Sequence, residues 1–416
     1  MSRKKEVEIM APAGSWESLQ AAIQGGADSI YFGIEQLNMR ARASNNFTLE
    51  DLVEIANICD KNGVKSYITL NTIIYDHDLT LMKNIVDTAK ECKITAIIAS
   101  DQAVISYASS IKMAIHISTQ ANVTNLETVR FYSHFADVVV LSRELSLLQV
   151  KEITKGIEKE QIEGPSGNLV QIEMFAHGAL CVAVSGKCYM SLHTANSSAN
   201  RGACTQNCRK TYIVSDKETG CKFEIDNEYI MSPKDLCTIG FMDQVLDAGV
   251  TVLKLEGRGR SPEYVKVVTQ CYSEAANACL GGTYNQKEVN GWISRLETVY
   301  NRGFWDGYYL GRKLGEFSGV GGSRSTKKKI FISKTSRYYP KLGVAEFDLV
   351  TGNLQKGDTI LITGKVTGVL ETTVDEIHLN RSLVTEVQKG DHFSLRLDEP
   401  VRVGDKLYKV VDTEYA

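Results

Sequence analysis

Residues 8–34 read EIMAPAGSWESLQAAIQGGADSIYFGI, and they hold the unit from which most of the chain is built. EIMAPAG (8–14) and SIYFGI (29–34) are short apolar runs of strand length. Between them, SWESLQAAIQGGA spaces its apolar residues at helical intervals and closes on glycine, the pattern of an amphipathic helix. A strand, a helix and a second strand make a parallel βαβ crossover.

The unit recurs. Strand-like runs follow at KSYITLNTI (65–73), AIIASD (96–101), AIHISTQAN (114–122), DVVVLSREL (137–145), QIEMFAHGAL (171–180) and TVLKLEGR (251–258). Eight strands, each with room for a helix, predict an α/β fold of the (β/α)8 TIM-like barrel type. An open doubly wound sheet competes, but no G-x-G-x-x-G follows the first strand. The expected barrel domain covers 1–317, with an insertion at 178–249 after strand seven. A Gly-, Ser- and Lys-rich stretch, GVGGSRSTKKK, predicts a linker at 318–330. Beyond it, LGVAEFDLV, DTILITG, TTVDEIHL, HFSLRLD and KLYKVV predict a small all-β barrel over 331–416.

The chain has 416 residues, 43% hydrophobic and 23% charged, with a formal net charge of −3. That balance excludes a generally basic nucleic-acid coat but not a local basic patch. The N-terminus lacks the apolar core of a secretory signal, and no run approaches the ~18 apolar residues of a membrane span. The expectation is a cytoplasmic protein with no membrane partner. Ten cysteines in a reducing compartment are then not a disulfide framework.

Four of the ten fall in the insertion as C-x6-C-x15-C-x3-C: Cys181, Cys188, Cys204 and Cys208. Clustered thiolates are soft ligands and call for a soft metal. The spacing matches neither a zinc finger nor a ferredoxin run, so it leaves zinc and iron–sulfur both open. Cys59, Cys92, Cys271 and Cys279 lie in helix-like segments and read as core. Cys237 and Cys221 are lesser alternatives as ligands.

Barrels place reactive side chains at the C-terminal ends of strands. Those ends carry Asn71, Asp101, Gln120, Asn122, Arg143, Glu144, His177, Glu256 and Arg258. Helix capping and solvation account for such residues equally well. Arg143, Arg258 and Arg260 suit a carboxylate or phosphate, which guanidinium groups grip at two points. His177 stands four residues before Cys181 and reads either as a proton donor to a ligand or as a neutral structural histidine. No H-E-x-x-H, G-x-S-x-G or G-x-x-x-x-G-K-[ST] occurs.

EMFAHGALCVAVSGKCYMS (173–191), NRGACTQNCR (200–209), SPKDLC (232–237) and LKLEGRGRSPEYV (253–265) closely resemble the peptidase U32 family, historically called collagenase-like. APAG, STQANVTN and VLSREL add to the resemblance, which spans the whole chain. Several members look like oxygen-independent hydroxylases with a [4Fe–4S] cluster, acting on ubiquinone precursors, ribosomal RNA or transfer RNA. The chain looks most like the group that makes 5-hydroxyuridine at the tRNA wobble position, with prephenate implicated as co-substrate. The resemblance implies Cys181, Cys188, Cys204 and Cys208 as cluster ligands. It leaves His177 and Glu256 as catalytic candidates and Arg40, Arg42, Asn71, Gln120, Arg143 and Arg258 as substrate-binding ones. Implied partners are the tRNA anticodon loop, prephenate and a related chain of the same family. Arg201, Arg209, Lys210, Arg324 and Lys327–Lys329 are candidate phosphate contacts. The rival readings are a peptidase, a hydroxylase of another substrate, and a non-catalytic RNA-binding protein with a structural metal.

Overall fold

The computed structural model describes residues 7–41, 46–213, 216–220, 230–311 and 314–413. Strands β1 (Glu8–Ala13), β2 (Ser29–Phe32), β3 (Lys65–Leu70), β4 (Ala96–Ala99), β5 (Ile115–Ile117), β6 (Val138–Val140) and β7 (Gln171–Ala179) pair in parallel, each with the next. After β8 (Asp235–Cys237) comes β9 (Val252–Leu255), which pairs in parallel with both β1 and β7. An open sheet has two free edges. Here β9 bonds both ends, so β1–β7 and β9 form a closed eight-stranded barrel. All eight lie where the apolar runs predicted them.

The strands carry apolar residues on both faces because both are covered. Met10, Tyr31, Tyr67, Ile98, Val138 and Val252 form a cluster apart from the larger core that includes the helices. Helix Trp16–Gln24 begins at Ser15, whose side chain accepts from the Ser18 amide at 3.2 Å. Helix Pro262–Gly281 opens on a proline, where the missing amide costs nothing, and packs beside Trp16–Gln24.

Two strands lie outside the eight. β8 runs antiparallel along the end of β7, and β10 (Phe304–Trp305) runs parallel to β8. They extend one side of the barrel past its C-terminal mouth.

The C-terminal region is an eight-stranded antiparallel sheet with a two-stranded ribbon, Asn353–Gln355 with Glu386–Gln388. Its long strand β11 (Lys327–Tyr339) is interrupted between Phe331 and Ser333 and again between Thr335 and Arg337. Such bulges bend a strand, and both halves of the sheet share one core containing Phe347, Ile362, Phe393 and Leu407. The region starts earlier than 331, because Lys327–Lys329 already belong to β11. The stretch before it is not free either: Arg324 and Thr326 amides donate to Asn301 and Glu297 carbonyls at 2.8 and 2.9 Å. The sheet is fastened to the barrel's helices. Gln24 exchanges hydrogen bonds with Thr367 and Val369, Lys266 donates to Val369, and Lys329 pairs with Glu263 at 2.8 Å. No helix among the described residues is long and apolar enough to cross a membrane.

Candidate functional site

The segment after β7 leaves the barrel at Leu180 and returns at Pro233, and its described residues from 181 to 209 lie across the C-terminal mouth. Its ties reach four different strand-to-helix loops. Gly202 packs so closely on the Asn38 carbonyl that a β-carbon there would sit 2.2 Å from the oxygen, and its φ of +81° also favours glycine. Arg201 donates to the Ile73 carbonyl at 2.9 Å and pairs with Asp78. Asn122 donates to Ser185 O at 3.2 Å, and Arg143 donates to Ser185 Oγ at 3.1 Å.

Beneath this roof is a cavity of about 270 Å³. Arg40, Asn71, Gln120, Arg143, Glu256 and Arg258 all line it, together with Cys181, Cys188, Cys204 and Cys208. The loops after β2, β3, β5, β6, β7 and β9 thus bring most of the sequence candidates to one place. Arg42 and Cys221 lie outside the described residues.

Glu256 is the hub of the floor. Arg40 Nη2 donates to its Oε1 at 2.7 Å, and the Tyr31 hydroxyl donates to its Oε2 at 2.9 Å. Burial alone would raise its pKa, but the Arg40 charge and these two hydrogen bonds outweigh it and hold the carboxyl at about 2. Arg258 donates to Thr69 Oγ1 at 2.6 Å and to Asn38 Oδ1, and burial brings its pKa down to about 10. Asn71 joins Gln120 at 3.2 Å, and its oxygen accepts from the Met39 amide.

His177 is placed elsewhere. β7 is irregular between Phe175 and His177, so simple alternation fails there. Phe175 faces the cavity, while the His177 ring turns to Tyr264, Tyr272 and Phe304. It is 2% exposed, and burial holds its pKa at about 3. No histidine is among the residues lining the cavity. Cys237 is also away from the cavity: its thiol lies 3.7 Å from the Tyr272 hydroxyl, and burial pushes its pKa up to about 11. Asp101 caps the helix Gln102–Ser110.

Sequence reasoning missed Lys254 and its partner Glu173. Lys254 is 5% exposed and lines the cavity. Its Nζ lies 2.6 Å from Glu173 Oε1 and 4.7 Å from the Tyr31 ring centre. A signal was present. Lys254, Glu256 and Arg258 alternate along one strand and its extension, so all three share a face.

The four thiols line the same cavity. Burial pushes the Cys208 thiol up, Arg209 opposes this, and the other three cysteines are close enough to raise it further. Cys204 Sγ accepts from the Gln206 amide at 3.4 Å. Among the described residues, no three His, Cys, Asp or Glu side chains converge as they would around one metal ion. The cavity also gathers cations. Arg40, Lys254 and Arg302 are paired with Glu256, Glu173 and Asp235. Arg143, Arg209, Arg258 and Arg260 line it too, and among the described residues none of these four forms an ion pair with a carboxylate. Of the candidate phosphate contacts, Arg201, Arg209 and Lys329 already have protein partners, while Lys210 is exposed.

The model of peptidase family U32 matches residues 14–318. The chain is 56% identical over 404 residues to a protein of Porphyromonas gingivalis named collagenase, covering 97% of this chain and 98% of that one. It is 31% identical over 305 residues to tRNA hydroxylation protein P1 of Bacillus subtilis, covering 72% of this chain and 69% of that one. It is 29% identical over 385 residues to a 23S rRNA 5-hydroxycytidine synthase of Escherichia coli, covering 90% of this chain and 55% of that one.

Proposed function

The chain belongs to peptidase family U32, and from that premise we propose that it is an RNA-modifying hydroxylase that converts the wobble uridine of tRNA to 5-hydroxyuridine without molecular oxygen. The observation that carries this reading is the composition of the cavity: four thiols line it together with four guanidinium groups that form no ion pair with a carboxylate among the described residues. Several cations gathered around one cavity repel one another, and only Arg258 of the four is fully buried. An anionic occupant offsets that repulsion, and both an RNA phosphate and a dicarboxylate such as prephenate are anionic.

Cys181, Cys188, Cys204 and Cys208 are the residues that would hold a [4Fe–4S] cluster. The donor set fits. It is all sulfur, and the four thiols line one cavity. When bound, such a cluster would relay electrons between the base and the co-substrate, which would have to supply the hydroxyl oxygen and take up the two electrons that oxidation of the base releases. The chain's own residues do the rest. Arg143 and Arg258 bind the carboxylates of the co-substrate. Glu256 stays ionised, fixes Arg40 and receives the Tyr31 proton in a hydrogen bond, so the floor is rigid before substrate arrives. Asn71 and Gln120 offer amide groups to the edge of a base. A wobble base lies in a single-stranded loop and is free to turn out into a pocket.

The P. gingivalis relative's name favours a second reading, a peptidase. A hydrolase needs a base near neutral pKa beside its nucleophile. No histidine lines this cavity, and Glu256 at about 2 is a weak base already engaged by Arg40 and Tyr31. The two readings separate in one comparison. Nucleosides are analysed in tRNA from a deletion strain and from the same strain complemented, while purified protein is offered gelatin. Loss and recovery of wobble 5-hydroxyuridine is the expected result. Unchanged tRNA together with gelatin cleavage would overturn the proposal.

A further inference from the structure

Arg209 stands next to Cys208, midway along the segment that roofs the cavity. Its Nη2 donates to the Leu180 carbonyl at 2.5 Å, where the segment leaves β7. Its Nη1 donates to the Pro233 carbonyl at 2.6 Å and to Ser232 Oγ at 2.8 Å, where the segment returns. One guanidinium group therefore ties the exit, the middle and the return of the roof together. The two carbonyls it satisfies lie at the junctions with β7 and β8, just beyond the Ala179–Asp235 rung of the β7–β8 ladder.

The same group carries charge to the thiols. Its side chain lines the cavity beside Cys208, and its Leu180 contact is one residue from Cys181. Asp235, the carboxylate nearby, is already paired with Arg302 at 3.3 Å. Arg209 is thus a partly buried cation that feels the opposing charges of Arg302 and Asp235 and stands beside the Cys208 thiol. A cube of four irons and four sulfides held by four thiolates is anionic overall, and more so when reduced.

Resting on the iron–sulfur reading above, we propose that Arg209 is a positioning residue with two effects: it clasps the ends of the thiol segment, and its positive charge raises the reduction potential of the cluster. Lysine and glutamine replacements separate the two effects. Arg209→Lys keeps the charge but loses the planar fork that reaches both junctions. Arg209→Gln keeps one short donor and loses the charge.

The test uses the full chain. In the first arm, metal-free wild type and both variants are exposed to dilute protease. Faster cleavage within 180–233 in both variants is expected, and unchanged cleavage overturns the clasp. In the second arm, all three proteins are reconstituted anaerobically with iron and sulfide and titrated by visible and electron-spin spectroscopy. Arg209→Gln is expected to shift to a more negative midpoint potential and Arg209→Lys to stay near wild type. A wild-type potential in loaded Arg209→Gln overturns the charge effect while leaving the cluster in place. If only Arg209→Gln fails to load, the charge requirement is supported. If both variants fail while wild type loads, the clasp alone accounts for the residue and the charge effect falls. A wild-type protein that takes up no iron removes the iron–sulfur reading and the charge effect with it, but leaves the first arm standing.

Discussion

Lys254 Nζ lies 2.6 Å from Glu173 Oε1 inside the barrel, where the two side chains are 7% and 0% exposed. Burial would raise the Glu173 pKa, but the Lys254 charge and the nearby His116 overcome it, so the carboxyl sits below its ordinary range. Removing one partner of a buried pair strands the other charge and costs about 3–5 kcal/mol. Lys254→Met is therefore expected to lose stability on that scale in urea or guanidinium unfolding. The double variant Lys254→Met with Glu173→Gln is expected to recover much of it. A double variant no more stable than Lys254→Met would mean that packing, not the stranded carboxylate, sets the cost.

The thiols separate by metal content. Cys181→Ala, Cys188→Ala, Cys204→Ala and Cys208→Ala are each expected to lower iron and sulfide severalfold after anaerobic reconstitution. Cys59→Ala and Cys237→Ala are expected to retain both, since Cys59 is 1% exposed in the core and Cys237 faces Tyr272. Full iron in Cys204→Ala would remove that residue from the ligand set.

Glu256 gives a pH signature. Its pKa in the fold, about 2, lies below the ordinary 4.5 of a glutamate. Its ionised form is thus favoured by folding, and its contribution is complete above pH 4.5 and lost as pH falls toward 2. The stability difference between wild type and Glu256→Gln should be flat from pH 7 to 5 and shrink below 4.5. A gap that persists unchanged at pH 3 would show that Glu256 acts through shape rather than charge.

His177 gives another, over a different range. Its pKa of about 3 lies below the ordinary 6.5, so the fold keeps it neutral while the unfolded chain takes up a proton. Stability is lost as pH falls from 6.5 toward 3, by at most about 1.4 kcal/mol per pH unit. His177→Phe should remove that part of the slope in thermal unfolding. It should leave the pH profile of turnover unchanged, because the ring faces Tyr264 and Tyr272 and not the cavity. An altered turnover profile would bring the imidazole into the reaction.

The barrel was legible because each strand is a run of apolar residues too short for a helix, and parallel strands covered on both faces leave that trace. β8 was not. Its three residues, Asp235–Cys237, form a strand because the end of β7 and β10 offer them hydrogen bonds from either side. The site was legible where a polar side chain ends a strand, as at Asn71, Arg143 and Glu256. It was not legible at His177, since the irregularity after Phe175 depends on pairing with β9 and rotates the ring away from the side that alternation assigns. Lys254 was passed over for the opposite reason. It sits within an apolar run, and only its shared register with Glu256 and Arg258 marks it as facing inward.

The roof is moored to the barrel at Asn38, Ile73, Asp78, Asn122 and Arg143, on loops that follow four different strands. A cover fixed at so many points does not swing aside as a door does. Under the hydroxylase reading proposed above, the substrate group has to come to a cavity whose cover is held at several loops rather than hinged at one.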